Sequence, residues 1–469
     1  MSSKLFFKYF SILIVIVCEI ILDIVFAIRF GGWITLYFFI TSLVSVAVLA
    51  CVNFHIQKKE LLIPWFLVMM FFPLVGLVLC FVFYQKINAV KLMKKKFENE
   101  CPCVSKNFMD VQAKYYAWGK DFFEDIKKQV KKAKKYVFFE FFIVEYGKLF
   151  DELIEILKMK IADGVEVFML VDEIGSINRL PKNFFRDMRE LGIRCQKFDG
   201  FSSGFLHNNR DHRKVVAIDG NVAFVGGANI ADEYVGEKQK FGIWKDGGVK
   251  IVGEGAMEFA KSFCTMFCVA SKKKCCPKHF DFKSKLKISD GQSKNLFMLP
   301  SCIGENLEVE REIVALIDEA KEEIKISTPY FIPDGIIQSA LYRAARRGVK
   351  IKIFVPGIAD KKLVNMVTKS HYENAISNGI EMLEFEKGFI HSKNILVDKA
   401  TMLVGTINID YRSFFRNFEC AVIIKNSSAV QELSDDFKQI EKQCKKVEAK
   451  DLPRPNFFIK LLKLFAPVL

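Results

Sequence analysis

The sequence predicts an α/β protein made of two duplicated αβ domains related by a pseudo-twofold, preceded by an N-terminal transmembrane helical segment. Three observations carry this. From residue 89 onward, short apolar runs alternate with charged, helix-periodic stretches, the pattern of layered α/β folds. One set of residues recurs at the same offsets in the two halves of that region. Ahead of it, residues 5–28, 33–54 and 61–84 are apolar runs, each long enough to cross a hydrocarbon core, which takes about 20 helical residues.

At 469 residues, with 51% hydrophobic and 26% charged side chains, the chain has material for two domains and is neither a disordered tail nor a low-complexity fibre. Its mean hydropathy is above zero, yet 69 Lys and Arg against 54 Asp and Glu leave a net charge of +15. That pair of properties points to apolar residues gathered in a membrane segment and basic residues facing an anionic partner, either nucleic acid or an acidic lipid surface. Thirteen cysteines scatter without a disulfide framework. The group Cys264, Cys268, Cys275 and Cys276 near His279 lacks the paired C-x2-C spacing of a zinc site, so free thiols in a reducing compartment are expected.

The second and third apolar runs carry no charge, and Trp33, Trp65 and Tyr84 sit near run ends, where amphipathic rings settle at an interface. Pro64 and Pro73-Leu-Val-Gly76 are tolerable in spanning helices packed on neighbours. Lys8, Glu19 and Asp23 interrupt the first run, and the two acids, four apart, share one helix face directed into a bundle. Lys86, Lys91 and Lys94–Lys96 argue that the rest of the chain is cytoplasmic. Three spans would leave Lys58 and Lys59 outside and two would not, so two or three helices (residues 1–88) both stay open. Residues 89–110 then read as a basic juxtamembrane linker, 111–285 as the first αβ domain, 286–450 as the second and 451–469 as an amphipathic tail.

Within the first domain a Lys-rich helix (120–135) runs into a strand, Tyr136–Val144. A second helix (148–163) leads through Asp163-Gly-Val-Glu-Val-Phe-Met-Leu-Val171. The second domain repeats the order: a helix (308–323) runs into Ile324–Ile332, and a further helix leads to Arg347-Gly-Val-Lys-Ile-Lys-Ile-Phe-Val355. Continuous or alternating apolar runs after a glycine suit buried strands of one sheet.

Only six histidines occur in the chain, and two of them open the same motif. His212-Arg-Lys214 with Asp219 and His391-Ser-Lys393 with Asp398 share His, Lys at +2 and Asp at +7. Gly226 and Gly405 follow at +14, and Asn229 and Asn408 at +17. Residues i and i+2 of a strand share a face, so each motif sets an imidazole beside an ammonium at one end of an apolar strand. Two halves related by a pseudo-twofold would gather two His and two Lys in one cleft. That set suits a phosphodiester: one imidazole attacks phosphorus and the other protonates the leaving alcohol. The lysines, with Asn229 and Asn408 binding substrate, neutralise the non-bridging oxygens. With that much fixed positive charge no metal or other cofactor is required. Asp246 and Glu419, each a further strand downstream in its half, are expected to accept from the ring N–H groups as supporting residues.

The doubled H-x-K-x4-D resembles the signature of the phospholipase D superfamily, and further stretches are similar to bacterial cardiolipin synthases. They are Asn209-Arg-Asp-His-Arg-Lys214, Gly226-Gly-Ala-Asn-Ile-Ala-Asp-Glu-Tyr234, Ser327-Thr-Pro-Tyr-Phe-Ile-Pro-Asp334, Lys387-Gly-Phe-Ile-His-Ser-Lys393, and Gly405-Thr-Ile-Asn-Ile-Asp-Tyr-Arg-Ser-Phe414 with Asn417-Phe-Glu419. The resemblance implies two phospholipase D-like αβ domains and transphosphatidylation. Phosphatidylglycerol would form a phosphatidyl-histidine with loss of glycerol, and a second phosphatidylglycerol would take up the phosphatidyl group to give cardiolipin. It also implies His212 as nucleophile and His391 as acid/base, although the symmetry leaves the reverse assignment open. Asp219 and Asp398 become local hydrogen-bonding supports within the catalytic motifs. The chain departs from the family at Gly247 and Gly248, where a histidine usually follows the Trp-Lys-Asp triplet, and in the stretch 264–285.

Phosphatidylglycerol and anionic membrane lipid are thus the expected partners, nucleic acid is not, and the expected location is the cell membrane, with several spans. The basic stretch Lys86–Lys96 and the tail Pro455-Asn-Phe-Phe-Ile-Lys-Leu-Leu-Lys-Leu-Phe465 fit a lipid surface. Residues 1–88 hold only +3 of the charge, six Lys and Arg against three acids, so the excess belongs to the αβ part. A phospholipase D-type phosphodiesterase, hydrolysing lipid or nucleic acid, is the alternative. A catalytically dead membrane scaffold is opposed by the intact His212, Lys214, His391 and Lys393.

Overall fold

The computed structural model describes residues 111–198, 209–271, 295–300, 307–452 and 457–466, the pair 107–108 and isolated positions between 21 and 76. The chain divides into two compact units, Met1–Ala89 with Asn456–Leu469, and Val90–Pro455. The three apolar runs and the basic linker fall largely outside the described residues. Among the described residues no helix is long and apolar enough to cross a membrane.

Two sheets with one topology form the second unit. The first contains β1 (Val111–Tyr116), β2 (Tyr136–Phe141), β3 (Glu166–Asp172), β4 (Arg194–Phe198), β5 (Lys214–Ile218), β6 (Val222–Gly226) and β7 (Gly248–Gly253), in the spatial order β1-β7-β6-β5-β2-β3-β4. The second contains β8 (Asn295–Pro300), β9 (Glu323–Ser327), β10 (Lys350–Pro356), β11 (Ile380–Phe385), β12 (Asn394–Val397), β13 (Thr401–Gly405), β14 (Cys420–Lys425) and β15 (Cys444–Lys446). Its order is β8-β14-β13-β12-β9-β10-β11, with the pair Asn107–Phe108 added beside β8 and β15 beside β11. Within each seven-strand order two pairings are parallel and four antiparallel, at matching positions. The duplication read from the motifs is therefore a duplication of the whole sheet.

Helices pack on both faces of the first sheet, as its near-continuous apolar strands require. Helix α1 (Gly119–Lys131) buries Phe122, Phe123, Ile126 and Val130 on one stripe. With α2 (Lys148–Ala162) it covers Val137, Phe139 and Phe141 of β2. Tyr136 and Phe138 point to the other face, into a core shared by both halves. There α3 (Glu254–Ser271) stacks Phe263 on Phe138 with centroids 4.6 Å apart. Cys264 and Cys268 are buried members of this core, while Cys275, Cys276 and His279 lie outside the described residues. In the second half α4 (Leu307–Glu319) and α5 (Gly335–Arg346) precede β9 and β10, and α6 (Ser428–Glu441) contributes Leu433 and Phe437 to the shared core.

Two helices stop earlier than their periodicity predicts, for one reason. The motif aspartates collect the backbone N–H groups that would otherwise continue the helix. Asp219 accepts from Lys134, Lys135 and Tyr136 at 2.8, 2.8 and 2.9 Å, so α1 ends at Lys131 and β2 begins at Tyr136. Asp398 does the same with Lys321, Glu322 and Glu323 at 2.9, 2.8 and 2.9 Å, ending α4 at Glu319. Each aspartate opens a three-residue connection between paired strands, with φ +52° and +68° at Asp219-Gly220 and +50° and +54° at Asp398-Lys399, the left-handed pair that tight hairpin turns favour. The central strands also end short, at Phe141 and Ser327. Past Phe141 the chain leaves the sheet, and the N–H groups of Ile143 and Val144 go to side chains, Asn229 Oδ1 and Ser176 Oγ. Past Ser327 comes Pro329, which has no N–H to give a ladder.

Candidate active site

Two short parallel pairings join the halves and build the site. Arg210–Asp211, just before the first motif histidine, pairs with Asn417–Phe418 of the second half. Gly388–Ile390, just before the second, pairs with Ile243–Lys245 of the first. The histidines continue these pairings. His212 N–H donates to Phe418 O at 3.0 Å, and His391 N–H to Lys245 O at 2.8 Å. The residue after each receiving carbonyl is an acid, Glu419 or Asp246, so each histidine meets the acid of the opposite half.

The ring contacts follow. His212 Nδ1 lies 3.0 and 2.9 Å from the two Glu419 carboxylate oxygens, and His391 Nδ1 lies 2.6 Å from Asp246 Oδ2. The expectation placed both acids beside the imidazoles and read each within its half; the pairing crosses between halves. An ionised acid fixes the proton on Nδ1 and leaves the Nε2 lone pair for chemistry. Asp246 also accepts from Gly247 N–H at 2.8 Å. Glu419 is held by the Thr406 hydroxyl at 2.5 Å and by Asn417 Nδ2 at 3.1 Å. The two positions are not equivalent in space: where Thr406 stands in the second half the first has Gly227, and a Cβ there would lie 2.4 Å from Asp246 Oδ1.

Burial controls the charges. It depresses both imidazoles, helped by Lys214 and Lys393: His212 falls well below its ordinary value. His391 falls to about 3 even though Asp246 pulls upward. Both rings are neutral at physiological pH. Burial also lowers Lys214 to about 7 against the pull of Glu419, and Lys393 to about 8 against Asp246 and Glu419. Glu419 is raised to about 7 by burial, with Lys214 opposing. Asp246, equally buried, is instead held below the usual range by Lys393 and the His391 ring N–H. Each lysine influences the opposite half's histidine or acid, so the four basic groups share one electrostatic site.

Lys214 Nζ donates to His212 O at 2.5 Å, and Lys393 Nζ donates to His391 O and lies 2.8 Å from His391 Nδ1. The asparagines sit close behind. Asn229 accepts from Ile143 N–H at 3.0 Å and donates to the Tyr234 hydroxyl at 2.7 Å. Asn408 Nδ2 donates to Asp410 Oδ2 at 3.1 Å, and its buried Oδ1 has no partner. Asp219 and Asp398 lie at the far turns of β5 and β12, holding the starts of β2 and β9 as described, away from the histidines.

The motif spacing gave no hint of the walls. His391 is lined by Tyr234, Trp244 and Phe389, with ring centroids 5.5, 5.5 and 5.8 Å away. His212 packs on Phe142 at 4.9 Å, and Arg412 adds to the field that depresses it. Phe389 occupies in the second half the place that Arg210 takes in the first, two residues before the histidine. Arg210 spans Asp172 Oδ2 with Nε and Nη2 at 3.0 and 2.7 Å. Gly247 and Gly248 lie tightly against backbone: a Cβ on Gly247 would lie 2.0 Å from Tyr116 O, and one on Gly248 2.5 Å from Val225 O. Two neutral imidazoles with free Nε2 atoms, each backed by an acid and flanked by a lysine, can form and break a bond to the phosphorus of a phosphodiester.

The model of the cardiolipin synthase, phospholipase D-like domain family matches this chain twice, over residues 126–261 and 313–441, one motif in each. The chain belongs to that family. A cardiolipin synthase of Halalkalibacterium halodurans is 29% identical over 447 residues, covering 87% of this chain and 88% of its own. Cardiolipin synthase 2 of Bacillus cereus is 34% identical over 324 residues, covering 68% of this chain and 62% of its own. The crystal structure of a phosphatidylserine synthase from Haemophilus influenzae Rd KW20 superposes with a TM-score of 0.59 at 15% identity, over 81% of this chain and all of that one. It shares the two-domain α/β fold.

Proposed function

We propose that this protein is a cardiolipin synthase that transfers a phosphatidyl group between two phosphatidylglycerol molecules. The observation that carries the reading is the reciprocal arrangement of the two His–acid pairs, each completed by the opposite half, in a chain similar along most of its length to cardiolipin synthases.

In this reading His212 Nε2 attacks the phosphorus of the first phosphatidylglycerol. The P–O bond to glycerol breaks as His391 supplies a proton from Nε2, and glycerol leaves. The terminal hydroxyl of a second phosphatidylglycerol then gives its proton to His391 Nε2 and attacks phosphorus. The P–N bond breaks, releasing cardiolipin and neutral His212. His391 regains the proton it lent, so the cycle is proton-neutral. Both rings are neutral before substrate arrives; the negative phosphodiester, placed among them, offsets the lysines, so that His391 takes up a proton from water at Nε2 as substrate binds and enters the cycle as the imidazolium. Lys214 and Lys393 turn from the motif carbonyls to the non-bridging oxygens, where their charge is worth most. Asn229 and Asn408 line the same oxygens, and Asp219 and Asp398 hold the strands from which the motifs project.

The substrate lies in a membrane, and residues 1–88 are assigned to two or three spanning helices with the αβ part on the cytoplasmic side. Two features support this. Described apolar side chains of the first unit stand open, Ile28 at 81% and Val46 at 60% exposure, which suits an apolar surrounding better than water. The helix α7 (Phe457–Leu464) in the same unit likewise leaves Phe458, Leu461 and Leu464 exposed on one face.

Purified protein given phosphatidylglycerol alone is expected to release glycerol and form cardiolipin, read by lipid mass spectrometry, and His212→Ala or His391→Ala abolishes both products. Phosphatidic acid without cardiolipin would make the protein a hydrolase of the same superfamily.

A further inference from the structure

On the His391 side, the mouth of the site carries apolar side chains that the chemistry does not use. From His391 the rings of Phe389 and Tyr330, 6.5 Å apart, lead outward to the loop 357–363. There the Tyr330 hydroxyl donates to Asp360 at 2.7 Å, and Lys361 Nζ lies 5.5 Å over the Tyr330 ring. Ile358 in this loop is 39% exposed, and Leu363, at the start of the helix Lys362–Lys369, is 52% exposed. That helix packs on the short strand Phe331–Ile332. Just beyond this strand, Ile336 in the first turn of α5 is 48% exposed. The first half completes the rim with half-buried Phe241, 6.2 Å from Trp244, and with Gly242, where a Cβ would lie 3.2 Å from Ile358 Cδ1.

Four exposed lysines surround this patch, Lys240, Lys361, Lys362 and Lys387, and no ion pair among the described residues holds any of them. Of the neighbouring acids, Asp360 is engaged by Tyr330 and Glu237 by Lys148, leaving Glu386 exposed. Among the described residues nothing covers these apolar side chains. Apolar tips ringed by unpaired cations are poorly matched to water and well matched to an anionic lipid leaflet, into which the tips insert while the lysines meet headgroups.

We propose that this rim, with Ile336, Ile358 and Leu363 at its crest, docks into the anionic leaflet, so that the site opens directly onto lipid headgroups. The inference rests on the phospholipid-transfer reading and adds where the substrate enters. A two-chain lipid then offers its phosphodiester to the histidines without its acyl chains leaving the bilayer.

The test compares full-length wild type with I336D/L363D and with the conservative I336L/L363M. Each is reconstituted in phosphatidylglycerol–phosphatidylcholine vesicles and separately given dihexanoyl phosphatidylglycerol below its micelle threshold. The acidic variant should raise the surface KM for vesicle phosphatidylglycerol on the order of tenfold. Its kcat/KM on the short-chain lipid should stay within about twofold of wild type, and the conservative variant should match wild type on both. An unchanged vesicle KM overturns the proposal, as does an equal loss on both substrates, which would place these side chains in the fold or the reacting site. Wild type that makes no cardiolipin from either lipid would break the functional reading instead. Docking is then decided by quenching of Leu363→Trp fluorescence with brominated lipid, strong if the rim inserts and equal to wild type if it does not.

Discussion

In the proposed reaction Glu419 should set the acidic side of the pH dependence. Burial raises it to about 7 against the pull of Lys214, and only its ionised form holds the His212 proton on Nδ1. Protonation below that value costs His212 its orientation, so kcat/KM falls as pH drops through about 7. On the alkaline side Lys214 and Lys393, lowered to about 7 and about 8, should lose the charge proposed to bind the phosphodiester. The expected profile of kcat/KM is a narrow bell near neutrality. Glu419→Gln should lower the rate by roughly a hundred- to ten-thousandfold and erase the acidic limb. An acidic limb that survives in this variant would assign the titration to another group. Thr406→Val leaves Glu419 in place without its hydroxyl donor, a loss of about 1 kcal/mol, so activity should drop about five- to tenfold. Thr406 illustrates what sequence could not show. His212, Lys214, His391 and Lys393 were legible because the motif repeats, but the hydroxyl matters only because the Glu419 side chain folds back onto it across a strand pairing.

The motif aspartates act at the level of elements. Each binds three consecutive backbone N–H groups and so turns a helix end into the start of a central strand. Asp219→Ala or Asp398→Ala should destabilise by about 1–3 kcal/mol, seen as a lower Tm, while the pH profile of the remaining folded enzyme keeps its shape. A shifted profile would give these aspartates a proton-transfer role. Helix α2 depends on a similar device, since Asp232 accepts the Lys148 and Leu149 N–H groups at 3.1 and 3.0 Å. Asp232→Ala should cost about 0.5–2 kcal/mol by leaving that helix start open, measured by denaturant midpoint. Periodicity located α1, α2 and α4 well, because their buried stripes follow the helical repeat. It overran the ends of α1 and α4 because lysine-rich and glutamate-rich sequence has no internal stop, and the stop comes from an aspartate 75 or more residues away in the chain. The strand ends were missed for the same reason: at Phe141 the departing N–H groups are taken by side chains 32 and 86 residues downstream.

At the scale of the molecule the doubled motif was enough to predict two similar halves in one cleft, and the matching order of the two sheets carries that symmetry through every central strand. The crossing of the acids was beyond sequence reading. His391 and Asp246 are 145 residues apart, His212 and Glu419 207 apart, and only the pairing of the pre-histidine strands across halves brings them together. Energetic coupling should follow the crossing. In double-mutant cycles on kcat/KM, His212→Ala with Glu419→Gln and His391→Ala with Asp246→Asn should each be strongly non-additive, the second change adding little to the first. Asp246→Asn should retain a measurable rate that Glu419→Gln lowers further. A simple sum for the crossed pairs would show that the acids do not act through the histidines they touch.

Because each half lends its acid to the other, neither owns a finished reaction centre. A polypeptide carrying a single copy of this unit would reach a working centre only by meeting a second copy face to face, with the same strand laid against its twin. Fusing two copies into one chain makes that meeting permanent and, having done so, frees the copies to differ. Aromatic rings could collect on one flank and guanidinium groups on the other, and a hydroxyl could appear beside one acid where the other tolerates only hydrogen. The inherited symmetry supplies the shared machinery, and the licence to break it would let two like histidines take the unlike jobs proposed for them.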